Sequence, residues 1–335
     1  MMPARTKILF RCDGSQQIGL GHVVRSCALA MMLGEKFECS FFIRDPSPAL
    51  SRYIKEAGFA LTSLPGTVIE EEAAAWAEHL EGDEILVLDG YAFNTRYQQL
   101  LKTKGNKIVC IDDIHAYKFV ADIVINHAPG VDESMYSLSE GGKLFTGPQF
   151  ALIRKSFLQQ ALNGKKKGTD DTIFVCLGGA DPSNTTLSVI QNIYTRAQHL
   201  TRNITVNLVL GSAYKYEDTL ALQETGMVQL NIFRNLSAEL LIEVMQRCSI
   251  AICSASTICF EYAAVSTGTI FLCKTADNQA EFYTHMLQNK FAEDFFSGFY
   301  PEDGSFSRQD QHKFADLLDG KQRQRILDIF EELVR

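Results

Sequence analysis

The chain has no C-x-x-C pair, no Walker A lysine pattern, no internal repeat and no low-complexity tract. Its nine cysteines are Cys12, Cys27, Cys39, Cys110, Cys176, Cys248, Cys253, Cys259 and Cys273. The number is odd, and several sit inside apolar runs such as Ile173-Phe174-Val175-Cys176-Leu177. They read as small buried thiols; zinc wants paired Cys/His spacings, and none occur. Basic charge is scarce as well: 32 Lys+Arg against 40 Asp+Glu leave −8 at pH 7. A protein that lives on a nucleic-acid backbone usually carries a basic excess, so no nucleic-acid partner is expected. An acidic total still permits a phosphorylated small molecule, because local amides and helix N-termini can hold one. Long apolar runs are missing too. The most apolar stretch, residues 249–273, is interrupted by Ser254, Ser256, Thr257, Glu261 and Ser266, whereas a spanning helix needs roughly 20 mostly apolar residues. The first apolar run stops at Arg11, short of a signal-peptide core. A cytoplasmic protein without stable membrane insertion is expected.

What is present is ordinary for a globular chain: 335 residues, 46% apolar and 21% charged. That length suits two domains. Strand-length apolar runs alternate with segments of helical period. In the first half, strands are predicted at 6–12, 38–43, 84–88, 107–111 and 122–126, and helices at 22–34, 47–57, 69–80 and 93–104. Residues 160–171 break the pattern with two glycines and three lysines (Lys165–Lys167), which read as a solvated linker. The alternation then restarts, with strands at 172–177, 204–210, 229–233, 249–253 and 269–272. Helices are predicted at 184–198, 215–224, 237–247, 257–265 and 278–289. This predicts two doubly wound, Rossmann-like α/β domains, 1–160 and 172–335, joined by a linker at 161–171 and facing across a cleft. Ligands in such sheets sit at the carboxyl ends of the strands, so the residues that follow each strand matter most.

After the first strand, Gly19 and Gly21 bracket a loop that opens a helix. The dinucleotide pattern G-x-G-x-x-G fails, since Val24 stands where the third glycine belongs. His22 lies at the helix N-terminus, where the dipole disfavours imidazolium and keeps the ring available as a base; a capping or packing histidine is the alternative. Asp89 and the pair Asp112/Asp113 follow buried strands, as cleft acids or as caps and turn residues. In the second half, Gly178-Gly179 with Asp181 follows one strand. Ser254-Ala255-Ser256-Thr257 with Glu261 one turn later follows another, and Thr275-Ala276-Asp277-Asn278-Gln279 follows a third. Small residues leave room for phosphate at a helix N-terminus, and a carboxylate one turn in can accept both hydroxyls of a ribose. Each cluster alone reads equally as a turn plus cap. Three at strand ends of one domain favour a nucleotide-diphosphate site.

Nearly the whole chain resembles the UDP-sugar hydrolases of pseudaminic acid biosynthesis, GT-B-class relatives of MurG-type glycosyltransferases. The pattern R-x-D-x-x-x-x-I-G-x-G-H-x-x-R is matched by Arg11, Asp13, Ile18, Gly19, Gly21, His22 and Arg25. Gly147-Pro148-Gln149-Phe150-Ala151-Leu152-Ile153-Arg154 resembles G-x-x-[FY]-A-L-I-R, and Asn235-Leu236 and Ala276-Asp277-Asn278-Gln279 resemble later motifs. Ser254-Ala255-Ser256 stands where a glycine-rich loop is common. The resemblance implies hydrolysis of UDP-2,4-diacetamido-2,4,6-trideoxy-β-L-altropyranose at the anomeric carbon; no cofactor is expected, and no metal, since the sequence lacks clustered acids to hold one beside the diphosphate. His22 would be the base, Asp13 the next candidate, and Tyr91 a residue of the sugar pocket. Glu261 would hold the ribose, with Asn278 and Gln279 facing the diphosphate and sugar. Arg11, Gly19, Gly21, Gly178, Gly179, Asp181, Asn235, Ser256 and Thr257 complete the expected substrate contacts. A UDP-sugar-dependent glycosyltransferase would use the same nucleotide residues, and a non-catalytic nucleotide-sugar binder would not need His22.

Overall fold

The computed structural model describes residues 5–14, 21–66, 68–179, 181–198, 203–211, 213–216, 226–299 and 312–335. The chain forms two compact units, Met1–Leu152 with Gln322–Arg335, and Ile153–Lys321.

The strands of the first unit are β1 (Lys7–Cys12), β2 (Glu38–Arg44), β3 (Ala60–Leu64), β4 (Ile85–Asp89), β5 (Lys107–Ile111), β6 (Lys118–Phe119), β7 (Ile123–Asn126), β8 (Ser137–Leu138) and β9 (Lys143–Thr146). Its helices are α1 (Gly21–Leu33), α2 (Pro48–Glu56), α3 (Ile69–His79) and α4 (Thr95–Leu101). Seven strands form a parallel sheet in the order β3-β2-β1-β4-β5-β7-β9, while β6 and β8 pair separately. Helices cover the faces, so the central strands are buried on both sides and read as continuous apolar runs. β4, Ile-Leu-Val-Leu-Asp, is buried throughout. Local chemistry starts the helices: Ser47 caps α2, accepting from Leu50 N at 3.2 Å, with Pro48 following, and Asn94 caps α4. The strand order reverses between β1 and β4, whose ends pair Cys12 with Asp89. That reversal is where a doubly wound sheet opens to a ligand.

The second unit repeats the plan with α5 (Lys155–Asn163), β10 (Thr169–Cys176), α6 (Thr185–Ala197), β11 (Ile204–Leu210), β12 (Val228–Arg234), α7 (Ala238–Arg247), β13 (Cys248–Ser254), α8 (Thr257–Val265), β14 (Thr269–Cys273), α9 (Ala280–Gln288), β15 (Glu293–Asp294), α10 (Phe295–Gly298) and α11 (His312–Leu317). The sheet runs β12-β11-β10-β13-β14-β15, again parallel, and reverses between β10 and β13, where Cys176 pairs with Cys253. All nine cysteines are free thiols and eight are buried, as their apolar surroundings predict.

The division differs from the sequence-based one in two ways. The boundary falls after Leu152, because α5 buries Phe157 and Leu158 in the second unit and Lys166 bridges to Ser266 there. The expected linker is therefore the end of α5 and the approach to β10. The C-terminal helix α12 (Gln322–Leu333) belongs to the first unit. It buries Ile326, Leu327, Ile329 and Phe330, with the Phe330 ring 6.2 Å from that of Phe37. Ion pairs Arg323–Glu35 at 2.7 Å and Lys143–Glu332 at 2.6 Å flank it. Unpredicted strands β3, β9 and β15 lie at or next to sheet edges and lack apolar runs. The expected helix 215–224 lies largely outside the described residues. Among the described residues, no helix is long and apolar enough to cross a membrane.

Candidate active site

His22 is the second residue of α1 and is buried. Its Nδ1 lies 2.7 Å from Asp89 Oδ1, at the end of β4. Asp89 is itself fully buried and also accepts from Ser26 Oγ at 2.9 Å and from Arg25 Nε and Nη2 at 2.9 and 2.7 Å. Burial alone would raise this carboxyl; the Arg25 charge and the His22 contact outweigh it and hold Asp89 at about 2. An ionised carboxylate only accepts hydrogen bonds. Arg25 Nη2 stands 3.0 Å from the same Nδ1, but its shorter contact is the bond it donates to Asp89 Oδ1 at 2.7 Å. A bare Nδ1 would set its lone pair against Asp89 Oδ1 at 2.7 Å, so the proton sits on Nδ1. The neutral ring then carries its lone pair on Nε2, the tautomer a general base needs.

Arg25 ties this pair to a further acid. Its Nη1 donates to Asp113 Oδ2 at 2.9 Å, and the Tyr91 hydroxyl stands 3.5 Å from the same oxygen. The Tyr91 ring meets His22 edge-on at 4.8 Å. His22, Asp89, Arg25, Asp113 and Tyr91 thus form one cluster. His127 feels the Arg25 charge; burial first and that charge second push it down to about 4, so it is neutral near pH 7. Its Nδ1 accepts from Leu152 N at 3.2 Å. Asp112 turns the other way, accepting from the backbone of Ile114 and His115 and from Tyr136 at 2.7 Å. Asp112 thus makes the hydrogen bonds of a turn residue, whereas Asp113 lies against Arg25 and Tyr91.

Arg11 and Asp13 go elsewhere. Arg11 has no exposed surface; its Nε and Nη2 fork onto Glu72 at 2.7 and 3.0 Å, and its Nη1 reaches Asp13 at 2.6 Å. Arg44 and Tyr97 complete the Glu72 partners at 2.8 and 2.9 Å. The expectation that Arg11 touches substrate is corrected: a guanidinium at a buried strand end must be paired, and this one is spent inside the unit. Asp13 accepts from Arg11 and from Arg44 N at 3.0 Å and makes no described contact with His22. Gly21 opens α1 with no heavy atom within 4 Å of where a Cβ would stand. Ile18 and Gly19 lie outside the described residues.

In the second unit, Gly178 has φ +93°, and a Cβ there would stand 3.5 Å from Ser254 Oγ. The loops after β10 and β13 therefore adjoin at the sheet reversal. Gly179 follows, and its carbonyl oxygen would lie 2.3 Å from a Cβ at Gly211, which demands glycine there. Asp181 is buried and caps α6, accepting from Thr185 N at 2.9 Å and Thr186 N at 2.7 Å. A carboxylate thus occupies the first amides of α6. α8 differs: Ser256 at its N-cap bonds Ser254 Oγ at 2.8 Å and makes no side-chain bond to the helix amides, with Thr257 as first residue. Glu261 is buried one turn in, with both oxygens 2.7 Å from Arg154. Gln279 folds back on Thr275, accepting from its N–H at 2.9 Å. Asn278 lies in the 3₁₀ turn Asp277–Gln279, and Asn235, with φ +51°, forms the exposed turn before α7.

Among the described residues, one group of acids has carboxylate oxygens within 4.8 Å of one another: Glu81, Asp83 and Glu84. It precedes β4, at the opposite end of that strand from Asp89.

No protein-family model matches the chain. The chain is 31% identical over 194 residues to the UDP-2,4-diacetamido-2,4,6-trideoxy-β-L-altropyranose hydrolase of Campylobacter jejuni, covering 56% of this chain. It is 27% identical over 224 residues, 64% of this chain, to an uncharacterized protein of Methanocaldococcus jannaschii. The chain spans less than two thirds of either relative's length, 65% of the hydrolase and 44% of the archaeal protein. Among solved structures, MurG of Acinetobacter baumannii superposes with a TM-score of 0.63 at 13% identity, covering 98% of this chain and 99% of that one. The fold is GT-B.

In this GT-B chain Arg25 and Asp89 are each visible in the sequence, but not their pairing with His22. Arg25 is three residues from His22, so both project from one face of α1, and Asp89 ends a wholly apolar strand. Those two signals were legible separately. Their pairing depends on β1 and β4 being neighbours, which no local pattern states.

Proposed function

We propose that the chain hydrolyses a UDP-linked 2,4-diacetamido-2,4,6-trideoxy sugar at its anomeric carbon, as in pseudaminic acid biosynthesis. The observation that carries this reading is the His22–Asp89 pair, which leaves Nε2 as the free basic nitrogen. The similarity to the Campylobacter hydrolase supports the substrate class. A water oxygen attacks the anomeric carbon, its proton passes to His22 Nε2, and the bond to the diphosphate oxygen breaks with its electron pair leaving on UDP. A nucleoside diphosphate is a good leaving group, so the demand falls on the base and on amides facing the departing charge. For the second unit we assign that task to the glycines after β10 and to the first amides of α8, which the N-cap Ser256 side chain leaves uncapped. α6 is not assigned, since Asp181 occupies its amides. Glu261, held by Arg154, would accept the ribose hydroxyls through its remaining lone pairs.

A UDP-sugar-dependent glycosyltransferase is the second reading, favoured by the superposition on MurG. The deciding experiment incubates the purified protein with the UDP-diacetamido sugar in EDTA and without any acceptor. Stoichiometric release of UDP and free sugar is expected. Release only on adding an acceptor hydroxyl would establish transfer instead, and a loss in EDTA reversed by Mg²⁺ would overturn the amide account.

A further inference from the structure

One carboxylate oxygen beside the base has no described use. Asp113 Oδ1 is shielded from solvent and accepts no hydrogen bond among the described residues. Its sister oxygen, Oδ2, takes Arg25 Nη1 at 2.9 Å and the long 3.5 Å approach of the Tyr91 hydroxyl. The side chain as a whole is 24% exposed, so it is reachable from outside. Tyr91 is also exposed, and its ring edge lies against His22. Buried polar atoms in folded proteins are nearly always paired, so an acceptor left open beside a cluster of titratable side chains calls for a donor from outside the chain. A carboxylate oxygen in this setting can only accept.

From this geometry we infer that Asp113 is a specificity-determining residue: its Oδ1 accepts a hydrogen bond from an N–H of the sugar held beside His22. The inference rests on the proposed reading of a diacetamido sugar as substrate, and it adds the group that reads an acetamido nitrogen. Arg25 gives the arrangement its rigidity. The same guanidinium holds Asp113 on one side and Asp89, with His22 behind it, on the other. A sugar bound through Asp113 is thereby registered against the base. A donor is demanded, because an ester oxygen or a carbonyl in the same place would set lone pair against lone pair.

The test is binding, so that it does not depend on turnover. The His22→Asn protein is titrated calorimetrically with UDP, with the UDP-diacetamido sugar, and with two analogues in which one acetamido nitrogen or the other is replaced by oxygen. The same titrations follow in His22→Asn/Asp113→Asn. Arg25 Nη1 needs an acceptor, so the Asp113→Asn amide turns its oxygen to Arg25 and places its NH₂ where Oδ1 stood, donor against donor. UDP should bind both proteins equally. The UDP-diacetamido sugar should bind the Asp113→Asn protein about 10- to 100-fold more weakly, the scale of a hydrogen bond to a charged group. One of the two analogues should show a comparable loss in the Asp113-containing protein and little further loss in the variant. Equal affinity of both analogues and the parent compound in the Asp113-containing protein overturns the inference, and needs no variant to fold. Equal weakening of UDP itself would overturn it too, as a general structural effect. If the wild-type chain releases no UDP yet these differences persist, the hydrolase reading fails while the role of Asp113 stands.

Discussion

At the scale of single residues, His22 depends on what Asp89 is, more than on where it is. Asp89→Asn keeps an oxygen for Arg25 Nη2 and His22 Nδ1 but removes the negative charge that favours the imidazolium as it forms. His22→Asn removes the base altogether. Both should lower kcat by about 10²- to 10⁴-fold, read as UDP release, with UDP affinity by calorimetry unchanged for His22→Asn. Glu261 belongs to a different task. Glu261→Gln keeps the shape and weakens the charged acceptor offered to ribose. The stabilisation that millimolar UDP gives against heat should fall by on the order of 1.5–3 kcal/mol. The quantity to follow is the shift produced by UDP, since the Arg154 pair changes in the apo protein as well. Arg11 shows the opposite lesson: a motif residue that looks made for an anion is consumed by Glu72 and Asp13.

At the scale of elements, two helices that follow strands of the second sheet present unlike N-termini. α6 carries its own carboxylate in Asp181, and α8 carries none. Asp181→Ala should cost roughly 0.5–2 kcal/mol by urea denaturation, the range for a lost cap, and should leave UDP affinity intact. A large loss of UDP affinity with unchanged stability would return Asp181 to the substrate. α8 itself was legible from sequence to the residue, at 257–265, because it is apolar all round and buried. α5, α11 and α12 were not predicted. In α12 the sequence Gln-Arg-Gln-Arg-Ile-Leu-Asp-Ile-Phe-Glu-Glu-Leu is as polar as a surface helix, and only its docking in the first unit buries Ile326, Leu327, Ile329 and Phe330.

At the scale of the molecule, that docking makes the chain's last helix part of its first unit. Phe330→Ala should destabilise the first unit by about 3–5 kcal/mol, the usual cost of emptying an aromatic core site, and should leave UDP binding at the second unit unchanged. Acid should act on the first unit in two stages. His127 is held neutral down to about 4 against an ordinary value near 6.5. The unfolded chain therefore takes up that proton first, and the stability is present above about pH 6.5 and lost as pH falls towards 4. Asp89, held at about 2 against an ordinary value near 3.9, adds stability that is full above about pH 4 and lost below it. The urea midpoint should decline in both windows, and His127→Asn should flatten the upper one alone.

Sequence by itself determined the alternation of strands and helices, because buried parallel strands must be apolar on both faces and stand out as runs. It also located the strand-end clusters at His22, Asp89, Gly178 and Ser256, since small and polar residues directly after such runs break the pattern visibly. Which of those clusters act together was decided by tertiary structure alone. Asp89 reaches His22 because β4 pairs with β1 although 72 residues of other structure separate the end of one strand at Cys12 from the start of the other at Ile85. Sheet order, helix docking and the choice of partner for each buried charge are long-range outcomes, set by which pairings bury most apolar surface and leave fewest charges alone. Arg11 and Arg25 look alike in the chain, each an arginine near a glycine loop. The fold makes one a strut on Glu72 and Asp13 and the other a clamp on His22, Asp89 and Asp113.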